Sequence, residues 1–99
     1  MKYGDVKKLL KSLHGRAEER KGQAVMISET ELEAVKKVIE SIEDKTIEIK
    51  NEHIKLDDMK LLINTIIELA EQNKKKVQFS PDQRIALGWY CMFCTIKEA

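Results

Sequence analysis

Cys91-Met92-Phe93-Cys94 sets two thiols three residues apart, the spacing that dithiol redox sites and half of a zinc site share. Redox work requires one thiolate held by a helix N-terminus or a nearby cation. Cys91 lies far beyond the helix start spelled by Ser80-Pro81-Asp82-Gln83, its neighbours are apolar, and only Lys97 follows within a turn of Cys94. A closed zinc site needs four ligands, and the other soft donors, His14 and His53, stand on separate segments. The pair is therefore expected to be packing material, with no metal and no cofactor. Asp57-Asp58 has the position of a capping pair at a helix start. The sequence contains no Gly-rich phosphate loop, no His-Glu metal motif and no Ser/His/Asp order. These residues point away from an enzyme.

Phosphate binding is the next chemistry to weigh. Lys7, Lys8, Lys11, Arg16, Arg20 and Lys21 crowd the first segment, and Lys74, Lys75 and Lys76 form a second cluster. No aromatic residue is interleaved with these bases and no helix-turn-helix spacing is evident, so a solvated helix face is the favoured reading and nucleic-acid contact the alternative. The same helix lacks the Trp or Phe of a membrane-surface helix. Across the chain, 18 basic and 17 acidic residues leave a net charge of +1, which argues against an indiscriminate nucleic-acid or membrane binder. The charge is unevenly spread: residues 1–22 are basic and residues 29–58 acidic. No apolar h-region or membrane-length run is present, and two cysteines three apart cannot frame a fold, so a cytoplasmic protein is expected. Heavy use of Ile, Lys and Glu suits an AT-rich source, such as a low-GC bacterium or its phage.

The elements that must position these residues are mostly helical. Ninety-nine residues, 42% apolar and 35% charged with four Gly and one Pro, favour a single helical domain over 1–99. Val6, Leu9, Leu10, Leu13 and Ala17 predict an amphipathic helix from about Asp5 to Arg20, with Gly15 inside it and Gly22 as a later stop. "GQAVMIS" reads as an extended connector or a brief strand. Ser28-Glu29-Thr30-Glu31 spells a capping box between the staple residues Ile27 and Leu32, so a second helix starts there and buries Leu32, Val35, Val38, Ile39 and Ile42.

Beyond Asp44 the heptad-like steps Leu32, Val35, Ile39, Ile42, Thr46, Ile49, His53 and Leu56 favour one long helix. A short β-hairpin over 46–56 competes, because "TIEIKNEHIKL" alternates apolar and polar residues about Asn51. A third helix, capped by Asp57, buries Leu62, Ile63, Ile66, Leu69 and Ala70 and ends at Lys74 to Lys76. Ser80 opens the fourth, with Pro81 at its first position. The expected fold is a predominantly all-α, four-helix bundle-like domain without an internal repeat.

The fourth helix carries the functional expectation. Ile85, Trp89, Met92 and Ile96 form a bulky stripe suited to a core, and Gly88, Cys91 and Thr95 a small seam that admits a second backbone. A helix apolar on both faces needs cover on both, by another helix of the chain or by another copy, and self-association as a homodimer is the expectation drawn from it. The expected partner or dimer interface comprises Ile85, Gly88, Trp89, Tyr90, Cys91, Met92, Phe93 and Thr95, with the charged outer face of the first two helices as the competing surface. The function expected from this is a protein–protein interaction module, a small regulator, inhibitor or adaptor that binds a protein partner.

Overall fold

In the computed structural model, which describes residues 2–97, helix and strand alternate along the chain. The order is α1 (Tyr3–Glu19), β1 (Ala24–Met26), α2 (Glu29–Glu43), β2 (Ile47–Ile49), α3 (Leu56–Gln72), β3 (Lys76–Gln78), α4 (Pro81–Phe93) and β4 (Cys94–Ile96). The fold is predominantly all-α: each helix packs on two others, in the ring α1, α2, α3, α4 and back to α1. Two small antiparallel sheets join β1 to β3 and β2 to β4. The buried side chains form one hydrophobic cluster, with Val6, Leu10, Leu13, Met59, Ile63, Ile66 and Leu87 among its inaccessible members.

Both capping boxes form. The hydroxyls of Ser28 and Ser80 accept from the backbone N–H of Glu31 and Gln83 at 3.1 Å, and each serine N–H donates back to the Glu31 or Gln83 side chain at 2.9 Å. The long helix favoured beyond Asp44 does not form. Lys45 adopts a left-handed φ of 58°, and its N–H and that of Thr46 turn back to the carbonyls of Ile42 and Ser41, which closes α2 with a Schellman motif. Residues 47–49 are a strand, as alternation suggested, but their partner is β4 and not the neighbouring residues of a hairpin. A left-handed lysine carries a steric cost that glycine lacks. Lys45→Gly should therefore raise stability by about 0.5 kcal/mol or more, read as a higher urea midpoint; an unchanged or lower midpoint would contradict this.

Other boundaries also differ from the sequence reading. Lys55, not Asp57, is the N-cap of α3, and Asp57 and Asp58 lie in its first turn, where the helix field favours acids. The fourth helix ends at Phe93, so Thr95 and Ile96 belong to β4 and leave the helical stripes to which they were assigned. Lys74 and Lys75 form a left-handed turn that leads into β3, a strand the sequence reading did not expect.

The largest correction is that the chain contains a structural repeat. The order α-β-α-β occurs twice, and the buried positions correspond. Val6, Leu10, Leu13 and Ala17 of α1 match Met59, Ile63, Ile66 and Ala70 of α3; Glu31, Ala34, Val35, Val38 and Ile39 of α2 match Gln83, Ala86, Leu87, Tyr90 and Cys91 of α4. Equivalent strands pair antiparallel, with Val25 opposite Val77 and Glu48 opposite Thr95 at the centre of each ladder. Equivalent residues facing one another across an antiparallel ladder relate the halves by an approximate twofold axis.

Candidate docking surface

Side chains advance by about 100° per helical residue, so α4 has three distinct faces. The inner face carries Ala86, Leu87, Tyr90 and Cys91, all buried. Gly88 faces α1, where a Cβ on it would lie 3.3 Å from His14 Nε2. The small seam thus admits a second helix of the same chain. Ile85, Trp89 and Met92 make the third face, and it points away from the core: Ile85 is 49% and Met92 68% exposed, and Trp89 is half-buried. The bulky stripe is therefore an outer surface and not core, because the buried arc of α4 is already filled by the residues that match Val35, Val38 and Ile39 of α2.

Of the eight residues expected at a partner interface, Gly88, Tyr90 and Cys91 are buried within the chain itself. Phe93 is half-buried, Thr95 is exposed on β4, and Ile85, Trp89 and Met92 share the outer face. The neighbouring α3 extends that face. Leu61 is 66% exposed, and Leu61, Leu62, Ile85 and Trp89 line an open groove of about 360 Å³ between the two helices, with Asp58 and Asp82 at its edge. In the sequence Leu62 reads as a buried residue, Asp58 as one of a capping pair and Asp82 as part of a helix start. Their surface role becomes visible when α1 is aligned with α3 on their buried residues and α2 with α4 on their capping serines.

That alignment supplies an internal comparison. The α1/α2 counterparts of Leu61, Ile85, Trp89 and Met92 are Lys8, Glu33, Lys37 and Glu40. Their exposure classes are the same, position by position, but their chemistry is charged; Lys37 and Glu40 form an ion pair at 3.4 Å. The fold is thus built once with a polar outer face and once with an apolar one. Packing alone does not demand the apolar version.

Cys91 occupies the place of Ile39 in the first half, and Cys94 opens β4. Burial pushes the Cys91 thiol above its ordinary range, against the pull of Lys11 and Lys7, and pushes Cys94 up to about 11. Cys94 Sγ lies 3.9 Å from Met59 Sδ. Both thiols are protonated at neutral pH, so labelling by iodoacetamide should be slow in the folded chain and rise by orders of magnitude in urea. Equal rates in the two states would contradict this account. Since unfolded thiols ionise first, stability should also decline as pH rises from 9 towards 11.

Half of the expected nucleic-acid contacts have structural partners. Lys7 Nζ donates to the Cys94 carbonyl at 3.1 Å, Arg16 is paired with Glu31, and Lys21 lies 3.6 Å from Glu18. Lys8, Lys11 and Arg20 are exposed on α1 and its end. His14 sits against Gly88 and 3.6 Å from Glu18, and His53 is in the exposed turn before α3. Among the described residues no helix is long and apolar enough to cross a membrane. Comparison with protein-family models, with curated proteins and with solved structures returns no match.

Proposed function

We propose that this chain is a non-enzymatic protein-interaction module, a small regulator, inhibitor or adaptor, which docks a protein partner on the outer face of α3 and α4. The observation that carries this reading is the contrast between the halves. Leu61, Ile85, Trp89 and Met92 stand where the same fold elsewhere carries Lys8, Glu33, Lys37 and Glu40. Exposed apolar side chains gathered beside a groove gain about 25 cal/mol for each Å² that a partner covers, whereas their charged counterparts gain nothing comparable. The dimer expected from the sequence belongs to the same reading in narrower form. Gly88 and Cys91 are occupied inside the chain, so a second copy would have to use the stripe alone.

A photo-cross-linking residue placed at Ile85, and in a control at its counterpart Glu33, tests the reading in source cells. A discrete adduct at position 85 that is absent at position 33 is the expected result, and its mass separates a second copy from a different protein. The quadruple change Leu61→Lys, Ile85→Glu, Trp89→Lys and Met92→Glu copies the other half's surface. It should abolish the adduct formed from a second site on the rim while leaving the circular dichroism spectrum unchanged. Equal cross-linking at positions 33 and 85, or none at 85, would count against the proposal.

A further inference from the structure

The charges around the groove narrow the kind of partner. Among the described residues lining it, Asp58 and Asp82 are the only ionisable ones, and both are exposed. Asp57 and Glu68 add negative charge elsewhere on α3. The cations carried by α3 and α4 themselves are turned to other helices, Lys60 lying 3.8 Å from Glu43 of α2 and Arg84 3.8 Å from Glu18 of α1. Lys55 at the α3 N-cap is exposed and not among the residues lining the groove. The charged groups lining the groove are therefore acidic and its other lining residues apolar. On the equivalent α1/α2 surface Asp5 and Thr30 stand at the counterparts of Asp58 and Asp82, while Lys8 and Lys37 offset Glu33 and Glu40, so less negative charge gathers there.

Resting on the docking reading above, we propose that the α3/α4 groove takes a basic amphipathic helix of a partner protein, with apolar residues one turn apart seated on Leu61, Leu62, Ile85 and Trp89 and with Lys or Arg beside them facing Asp58 and Asp82. A cleft between two packed helices accepts the ridge of a third, which is read by anchors spaced three, four and seven residues apart. Opposite charge at the rim speeds encounter and selects against other partners. A second copy is the poorer occupant. A twofold contact through this face would bring Asp58 and Asp82 into the interface from both copies without a cation from the groove to answer them.

Trp89 is the sole tryptophan and lines the groove, so its emission reports occupancy directly. The probes are helical peptides of about four turns with leucine at positions i, i+3 and i+7 and with every flanking position set to Lys, Gln or Glu. The full-length chain should bind the Lys peptide at least about tenfold more tightly than the Glu peptide, with a shift in Trp89 emission that weakens as salt rises. The double variant Asp58→Asn, Asp82→Asn should level the two affinities, and Ile85→Glu should weaken the Lys peptide. Gln or Glu peptides that bind as tightly as Lys would overturn the charge inference while leaving an apolar docking face in place. Binding of none of the peptides would overturn it as well, as would binding indifferent to Ile85→Glu. A position-85 adduct of twice the chain's mass would replace the basic helix by a second copy and leave the docking reading standing. Absence of any adduct at position 85 removes both.

Discussion

Tyr90→Ala should lower the stability of this chain by about 3–5 kcal/mol, a large part of the about 5–15 kcal/mol that holds a domain folded. Tyr90 is the largest of the fully buried side chains and stands where the first half has Val38. The inner face of α4 has little else of that size: Ala86 and Cys91 are small, and Gly88 contributes no side chain to the contact with α1. Removing the ring leaves a void that Leu87 and Cys94 cannot fill without moving the helix. Burial, and then the two nearby thiols, push the Tyr90 hydroxyl well above the ordinary phenol range, so it stays protonated throughout the neutral region. Tyr90→Phe keeps the ring and should change stability by less than about 1 kcal/mol. Urea unfolding followed through Trp89 emission measures both. An alanine variant as stable as the phenylalanine one would mean that the α4 core collapses around the loss.

Glu31→Ala should produce the second large effect, about 2 kcal/mol, because one carboxylate serves three elements. Its oxygens accept from Arg16 Nη1 at 2.6 Å, from Arg16 Nη2 at 2.8 Å and from the Ser28 N–H at 2.9 Å. Arg16 Nη2 also donates to the Met26 carbonyl at 2.9 Å, so α1, the end of β1 and the start of α2 meet at this point. The loss is smaller than for a fully enclosed ion pair because the Arg16 side chain is 37% exposed and water can take over its charge. Burial raises the Glu31 pKa, but the hydrogen bonds from Arg16 and Ser28 outweigh it and hold the group below the ordinary 4.5. The unfolded chain therefore binds this proton more readily. The contribution is fully present above about pH 4.5 and fades as pH falls through the lowered folded value.

Glu31→Gln installs the side chain found at Gln83, where the equivalent tie is neutral and runs from Gln83 Nε2 to Thr65 Oγ1 at 3.0 Å. Urea midpoints of the wild type and Glu31→Gln should differ at neutral pH and converge in acid. A gap that persists below the range in which Glu31 protonates would assign the loss to packing instead.

The sequence and the structure agree where local chemistry is decisive. Ser28 and Ser80 mark their helix starts because a capping box is set by four consecutive residues, and the core stripes of α1, α2 and α3 are legible because an amphipathic helix repeats its pattern for several turns. The three-residue strands have no such length. Val77 between Lys76 and Gln78 offers one alternation, too little to distinguish from the end of a helix, and β2 resembled a heptad continuation because Ile49 happens to fall in step with Ile42. The stop itself lies in Lys45, whose left-handed backbone no residue type announces. The faces of α4 were assigned by side-chain size, which favoured Ile85, Trp89 and Met92 for the interior. The ring of helices instead leaves the interior arc to Ala86, Leu87, Tyr90 and Cys91, and that arrangement depends on partners half the chain away. The proposed docking surface was thus partly named from the sequence, through three residues of α4, while Leu61, Leu62, Asp58 and Asp82 join it only through the packing of α3 against α4.

The pairing of equivalent strands bears on how the chain is made. During synthesis β1 and β2 leave the ribosome well before β3 and β4, so the first half carries two unpaired edges that any other extended segment could join. Two chains at this stage could exchange halves, each supplying β3 and β4 to the other, with residues 50–55 as the hinge. Every ladder hydrogen bond of the closed monomer would be reproduced in such an intertwined pair, and only the path of the hinge would distinguish the two forms.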